Sequence, residues 1–344
     1  MGEIIFTYGF IALNDPLTED TDKPTNPWLE LILESNKNTE APTAYWNDMQ
    51  NALIQYRFWT RMENYSHSFT KVLGRLEVEE FYQKLCDASA NDEIDFSGIE
   101  FREISFLGAK FLLPVNFNET QFLADANFKN ASFLAEAKFK LVNFRKSVCF
   151  ENVNFSSSAI FDWAQFASAS NKPTDHKVSF SGEVRSAVTF TGCKFWSDLN
   201  FANVKYHKSP GLFTTVDFQL AEFHGEARFY RVQFESNYFV QCTFHQIAHF
   251  SNIEFAENAN FGGSVFEGKL IFGTSGEGEA IVGRDFFWIV SKLSGMLFFR
   301  LKLRVTVIVM IHNLLTFWIS KILRLLVKLS YQTYLLKVRL NCIT

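Results

Sequence analysis

Phenylalanine recurs through the middle of the chain at spacings that alternate between five and six residues. Phe supplies 40 of the 344 residues, and such an excess of one aromatic side chain indicates a repeat that reuses one core position. The first clear run comprises Phe117, Phe122, Phe128, Phe133, Phe139, Phe144, Phe150, Phe155, Phe161 and Phe166. The second run comprises Phe244, Phe250, Phe255, Phe261, Phe266 and Phe272.

A small or branched apolar residue stands two positions before most of these Phe residues, and the intervening positions are polar. A helix would need apolar residues at i, i+3, i+4 and i+7, and an ordinary strand would need long alternation, so neither fits. Side chains at i−2 and i of a strand point to the same side. The pattern therefore predicts very short strand segments separated by corners, which is a β-solenoid with a core ladder of Phe rings.

The alternation of five and six also limits the number of faces in one coil. Six-residue steps can stack on six-residue steps only if the number of faces is even, and two faces would be too thin to hold Phe rings. Four faces, with about 22 residues per coil, is the simplest solution. Seven or eight coils at roughly 4.8 Å each predict a rod about 35 Å long.

The triplets Ala126-Asn127-Phe128 and Ala259-Asn260-Phe261 carry a family resemblance. The spacing resembles pentapeptide-repeat proteins, and in particular their Phe-rich subgroup with double units of five and six residues. The resemblance covers residues 94–272 and implies a mainly β fold, a right-handed quadrilateral β-helix. It implies no active site, because the family shares none.

Three places depart from the repeat. Residues 167–179 and 206–212 are too long for a corner, and we expect them to loop outward. Between Phe180 and Phe190 the expected inward position holds Arg185, so either Val184 replaces it by a slip of the register or the coil opens.

Residues 1–93 lack the repeat and carry 16 acidic against seven basic residues. Pro27 after Asn26 indicates a helix start, and apolar spacing predicts helices over 43–63 and 77–88. A strand is expected within 4–11. We interpret the region as an acidic, mostly helical cap, because an open solenoid end would expose core and unpaired backbone. A partner-binding domain is the alternative.

Residues 273–285 are interpreted as a linker, and residues 286–344 as a basic hydrophobic helical tail. The tail holds nine Lys and Arg and no Asp or Glu, which favours an anionic membrane surface as its partner. Arg304, Lys321, Arg324 and Lys328 are the residues expected to contact it. The uncharged run 305–320 is slightly short for a spanning helix. One or two spanning helices, an interfacial helix, a cap on the last coil and an altered reading frame all stay open.

Neither cysteine nor histidine indicates a chemical site. The five cysteines are far apart and form no CxxC pair, which argues for a reducing compartment and against a zinc ribbon. His245 and His249 are four apart, but within the repeat this spacing does not place them on one helix face. No phosphate-binding, dinucleotide-binding, zinc-protease or serine-hydrolase motif occurs. We expect no catalytic residue, no cofactor and no metal.

These features favour a non-enzymatic scaffold, a rod that binds an unknown protein partner. Its expected location is cytoplasmic or associated with the inner membrane, and a homodimer stays open. The alternative function is inhibition of a DNA gyrase by duplex mimicry, as some pentapeptide-repeat proteins do. That alternative needs a strongly acidic rod, whereas residues 94–272 hold 18 acidic and 16 basic residues. Nucleic acid is not an expected partner.

Overall fold

The structure is a computed structural model of the 344-residue chain. It describes residues 26–61, 73–90, 92–169, 172, 174–206, 215–234, 236–256 and 259–272. Beyond these it describes the backbone of six strands between residues 280 and 311. The strand expected within 4–11 lies outside the described residues.

Within the described residues, three helices precede the repeat. They span Pro27–Asn36 (α1), Ala44–Arg61 (α2) and Arg75–Asp87 (α3), close to the helices that the sequence predicts. The Asn26 side chain begins α1 by accepting hydrogen bonds from the backbone N–H of Trp28 and Leu29, and Pro27 occupies the first helical position. The sequence pattern at this helix start therefore corresponds to a real N-cap.

Short strands from residue 94 onward build four faces, which we number in chain order. Face 1 comprises Ile94–Asp95, Val115–Asn116, Ala137–Lys138, Ala159–Ile160, Val188–Thr189, Thr215–Asp217, Ser236–Tyr238, Ala259–Asn260, Phe286–Val290 and Val307–Ile311. Face 2 comprises Glu100–Phe101, Gln121–Phe122, Asn143–Phe144, Gln165–Phe166, Lys194–Phe195, Glu222–Phe223, Thr243–Phe244, Val265–Phe266 and Lys292–Leu293.

Faces 3 and 4 are joined by three long strands that continue around the corner between them. Face 3 comprises Ala126–Asn127, Ala227–Tyr230, Ala248–Ser251, Leu270–Phe272 and Leu297–Phe299. Face 4 comprises Lys110–Phe111, Ser132–Phe133, Gln233–Phe234, Ile253–Phe255, Ala280–Val282 and Leu301–Leu303. The strands shared by both faces are Val148–Phe155, Lys177–Val184 and Asp198–Tyr206.

Every strand pairs in parallel with the strand one coil further along the chain. On face 1, Val115 pairs with Ala137, and Ala137 pairs with Ala159, which gives coils of 22 residues. The next coils are longer, because Ala159 pairs with Val188 and Val188 with Val216. The extra residues lie between the strands that end at Phe166 and begin at Lys177, and between those that end at Tyr206 and begin at Thr215. Residues 177–179 of the first expected loop are part of a strand instead. The fold is a mainly β solenoid of parallel sheets.

The inward Phe side chains stack coil upon coil. Along face 1, Phe117 lies 4.9 Å from Phe139, and Phe139 lies 4.6 Å from Phe161, measured between ring centroids. Both pairs are within 8° of parallel. Rings of adjacent faces meet edge to face, as Phe139 and Phe150 do at 89°. Each ring therefore has favourable aromatic neighbours both along and across the rod.

The corners between faces 1 and 2 and between faces 3 and 4 use a tight turn with a left-handed residue. The turn after Phe139 closes with a hydrogen bond from Val142 N–H to the Phe139 carbonyl, and Leu141 has φ +58°. The same geometry recurs two residues after the face 1 Phe of other coils, as at Glu119 and Trp163. These turns make the five-residue steps, since a positive φ at the third turn position reverses the chain quickly.

The predicted helix is wrong over the described part of residues 286–311. Phe286–Val290 and Val307–Ile311 are strands, and they pair in parallel with face 1 of the preceding coils. Ala280–Val282, within the predicted linker, is also a strand. Val, Ile and Phe favour strands, and the unpaired edge of a coil offers backbone groups to the next segment. Among the described residues, face 1 has eight strands within 94–272, as many as the seven or eight coils expected there, and the rod continues past the Phe repeat with two more.

The coil with Arg185 keeps its core by a slip of the register. Val184 is buried and Arg185 is exposed, so Val184 takes the inward position. The slip occurs at Gly182, which has φ +127° and lies against the backbone of Val153. A Cβ on Gly182 would lie 2.0 Å from the Val153 carbonyl oxygen. Only glycine fits this close approach.

Three side-chain amides cover the first coil. Asn36, Asn47 and Gln50 accept hydrogen bonds from the backbone N–H groups of Ser105, Lys110 and Leu112, at 2.7–2.9 Å. The same amides donate to carbonyls of that coil, as Gln50 Nε2 does to Lys110 at 2.7 Å. The helices thus supply the hydrogen bonds that a preceding strand would supply.

Replacing Gly182 by Ala should lower the free energy of unfolding by at least about 2 kcal/mol, because the new Cβ clashes with the Val153 backbone. Gly98 offers a matched control, since it has φ +67° and nothing within 4 Å of a built Cβ. Its replacement by Ala should cost only about 1 kcal/mol of conformational strain. Urea unfolding of both variants measures the difference, and equal costs would contradict the close approach.

Replacing Leu141 by Asn should raise the free energy of unfolding by up to about 1 kcal/mol, because Asn tolerates a left-handed conformation better than Leu. Leu141 is 56% exposed, so little packing is lost. Leu134, 49% exposed and without a positive φ, is the control, and Asn should bring no gain there. If the two substitutions change the free energy of unfolding in urea by the same amount, the positive φ at Leu141 has no conformational cost and the prediction is wrong.

Candidate functional site: the outer surface of face 2

A cavity inside the rod is too small for a substrate. Val184 stands where the preceding coil places Phe155, and the cavity beside it is also lined by Val204 and Tyr206. Its volume is about 20 Å³, which is space for one water molecule. Any function at these coils must therefore use the outer surface.

Two thiols in the core are also unsuited to chemistry. Cys193 and Cys242 are fully buried, and they donate S–H hydrogen bonds to the carbonyls of Phe161 and Phe218. Burial raises the pKa of both thiols. Because the thiolate is the nucleophile, these cysteines act as small core residues.

Large apolar side chains project from the corner between faces 1 and 2. Leu141, Trp163 and Leu220 are 56%, 54% and 40% exposed, and all three have a positive φ. They occupy equivalent turn positions in different coils, which at about 4.8 Å per coil places them along a line of about 14 Å. We call these three residues the corner stripe.

The coil between Trp163 and Leu220 carries Gly192 at the equivalent turn position, and this glycine makes room for the indole. A Cβ built on Gly192 would lie 2.5 Å from Cε3 of Trp163. The Trp163 ring therefore covers the Gly192 backbone and bridges two coils. A bulky residue in a left-handed turn costs conformational energy, so the exposed stripe is a candidate for selection by binding.

Positive charges lie on both sides of the face 2 strand that follows Leu141. Lys140 precedes Leu141 in the turn, and Arg145 and Lys146 follow on the far side of the same face 2 strand. Among the described residues, none of these three cations has a carboxylate within 4.0 Å. They are exposed and available to an acidic group on another molecule.

An aromatic column runs along the far side of face 2, at the positions that directly follow the inward Phe. Trp196 stacks on His224 with centroids 4.2 Å apart, and His224 stacks on His245 at 4.6 Å. Equivalent positions of adjacent coils lie in register, which holds the rings parallel. We call these three residues the imidazole column.

Two carboxylates adjoin the imidazole column. Glu222 Oε2 lies 3.3 Å from Nε2 of His224, and its Oε1 lies 3.3 Å from Nζ of Lys194. Glu267 lies one coil beyond His245, and its Oε2 is 2.8 Å from Nδ1 of His245. Burial, and then the nearby His245, lower the pKa of His224 below its ordinary value. His224 is thus biased towards the neutral imidazole, the form that binds metals.

The residues singled out from the sequence have different positions. The predicted ladder residues, Phe117 to Phe166 and Phe244 to Phe261, are buried. His245 lies on face 2, whereas His249 lies on face 3 and contacts Ser251. The expected membrane-contacting residues Arg304, Lys321, Arg324 and Lys328 lie outside the described residues.

Sequence reasoning missed the corner stripe and the imidazole column. His224 and His245 are 21 residues apart and each directly follows a ladder Phe. Comparison of equivalent positions one coil apart would have paired them, whereas the comparison of neighbours in sequence paired His245 with His249. Trp163 was missed because apolar residues do not recur regularly at its turn position, so no sequence period marks it.

In the part of the chain that the structure describes, no helix combines the length and the apolar character that crossing a bilayer requires.

Comparison with known proteins identifies the repeat. No curated protein and no solved structure matches the chain. Residues 218–265, which carry most of the imidazole column, match the family model of pentapeptide repeats (9 copies). The chain therefore contains pentapeptide repeats over residues 218–265, within a solenoid of stacked Phe rings.

Proposed function

We propose that this protein is a non-enzymatic scaffold, a right-handed quadrilateral β-helical rod that binds a protein partner through the corner stripe. The single observation that carries the proposal is the exposure of Leu141, Trp163 and Leu220 in left-handed turns. Residues kept in a costly conformation, where their side chains gain little burial, need a reason outside the stability of the rod.

The chemistry of the surface defines the partner. Apolar side chains at the centre of a patch with cations at its border match a protein surface that presents apolar residues beside carboxylates. Trp163 is the expected energetic centre, because Trp is enriched among residues that dominate binding energy. Lys140 and Arg145 would then guide the acidic border of the partner.

The charge distribution of the rod disfavours mimicry of a DNA duplex. Lys129 pairs with Glu151 of the next coil at 3.0 Å, and Lys138 pairs with Glu93 at 2.7 Å. Acidic side chains that are neutralised by neighbouring cations do not reproduce the dense charge of a phosphate backbone. We therefore propose that the rod binds a protein partner, and not that it inhibits gyrase by imitating DNA.

A finer part of the proposal concerns location. We infer that the protein is cytoplasmic and associates with the inner face of the membrane through its basic end. The support is the charge of residues 286–344, with nine Lys and Arg and no acid. Basic segments are attracted to anionic leaflets by about 1 kcal/mol per residue.

A photo-crosslinking amino acid, benzoylphenylalanine, at position 163 should form one defined adduct with a partner protein in cells that express the full chain. The same amino acid at Asn130, an exposed left-handed position at the opposite corner, should form none. Substituting Leu141 and Leu220 by Asn should remove the adduct at 163, because the apolar contact is lost.

An adduct of twice the mass of the chain would show that a second copy, not another protein, covers the stripe. Such a dimeric adduct would overturn the proposed partner site. Equal adducts at positions 163 and 130 would also overturn it, as would the absence of an adduct at position 163. Far-UV circular dichroism of the Leu141/Leu220 variant checks that the rod still folds.

Charge reversal at Lys321, Arg324 and Lys328 should weaken binding of the full chain to phosphatidylserine vesicles by about 100-fold or more. Reversal at Lys140, Arg145 and Lys146 on the rod is the charge-matched control and should leave vesicle binding unchanged. Vesicle co-sedimentation measures both. Equal binding to uncharged phosphatidylcholine vesicles, or no effect of the tail substitutions, would contradict electrostatic membrane association.

A further inference from the structure

We propose that Glu222, His224 and His245 bind one divalent transition-metal ion on the outer surface of face 2, with Zn²⁺ as the best match. One ligand atom from each residue lies within 4.8 Å of the others. All three residues are half-buried, and they stand on strands whose backbone is fixed by pairing with adjacent coils. The site joins two coils, since Glu222 and His224 belong to one and His245 to the next.

The contact between His224 and Glu222 is the centre of the proposed site. Nε2 of His224 is buried and lies 3.3 Å from Glu222 Oε2. In the tautomer with its proton on Nδ1, the Nε2 lone pair faces the carboxylate, and a metal ion can then bind both atoms. A metal ion at this point would satisfy both atoms, and burying the nitrogen would no longer be unfavourable.

The distances suit a metal after small side-chain rotations. Tetrahedral Zn²⁺ with bonds of about 2.0–2.1 Å places its ligand atoms about 3.3 Å apart. The present separations, up to 4.8 Å, need to close by about 1.5 Å, which the side chains of Glu222 and His245 can achieve without moving the strands. The strand spacing of the solenoid already holds the two imidazoles at 4.6 Å.

Two neighbours support the ligands. Glu267 contacts Nδ1 of His245 at 2.8 Å, and a carboxylate on a ligating histidine orients the ring and makes it a stronger ligand. Trp196 stacks on His224 at 4.2 Å and closes the column on the other side. The group therefore has the surroundings of a metal site in addition to its ligands.

The ligand set selects the class of metal. Two imidazoles with one carboxylate suit Zn²⁺, Ni²⁺, Co²⁺ and Cu²⁺, whereas Mg²⁺ and Ca²⁺ prefer oxygen ligands alone. Three protein ligands leave a fourth position, which water or a side chain of another molecule would complete. The inference is independent of the corner stripe, so its failure would leave the proposed partner site untouched.

The test is calorimetric titration of the full chain, freed of metal with a chelator, with ZnCl₂. We expect binding of one ion per chain, and no binding of MgCl₂. His224→Ala and His245→Ala should each weaken Zn²⁺ binding by at least tenfold, and Glu267→Gln by about 10- to 100-fold. His249→Ala is the matched control on face 3 and should bind as the wild type does.

Glu222→Gln keeps the size of the side chain and serves as a second variant if a histidine substitution prevents folding. The wild type should also give the intense visible absorption of tetrahedral Co²⁺, and Glu222→Gln should lose it. Zn²⁺ binding that persists in the His224/His245 double variant would overturn the site. So would a loss in His249→Ala as large as that in His245→Ala.

Discussion

The structure depends on the match between the spacing of parallel strands and the stacking distance of benzyl rings. Strands in a sheet lie about 4.8 Å apart, and the Phe rings of successive coils lie 4.5 Å apart at Phe111 and Phe133 and 5.2 Å apart at Phe101 and Phe122. The backbone ladder and the aromatic ladder therefore reinforce each other. The two ladders run together over most of the Phe repeat, which explains why so short a sequence unit suffices.

This constraint separates residues that maintain the fold from residues that are free to vary. The inward positions are committed to Phe and to small neighbours, and the coil corners need either glycine or a residue that accepts a positive φ. The outward positions next to Phe have neither restriction. Side chains one coil apart there lie directly above one another, so identical or complementary groups form columns, as His224 and His245 do. A solenoid thus brings together residues that are distant in sequence without any special loop.

The sequence was sufficient to predict the Phe repeat, its short strands and the helices α1 to α3, because each follows from a period or a cap signal. It was not sufficient for residues 286–311, where apolar residues without a Phe period continue the strands because an existing coil edge offers pairing. It also missed Trp163 and His224, whose partners are set by the coil length. The interruptions at 167–179 and 206–212 change the coil length. Equivalent positions of successive coils can therefore be matched only from the strand register, and not from a constant spacing in the sequence.

The helices that cover the first coil have a consequence for assembly. Asn36, Asn47 and Gln50 occupy the hydrogen-bonding groups of that coil, and Trp46 packs on Phe111 with ring centroids 5.7 Å apart. A second molecule cannot dock its own strands there without first displacing α2. Head-to-tail stacking of strands into fibres is therefore blocked at the end of the solenoid that α2 covers.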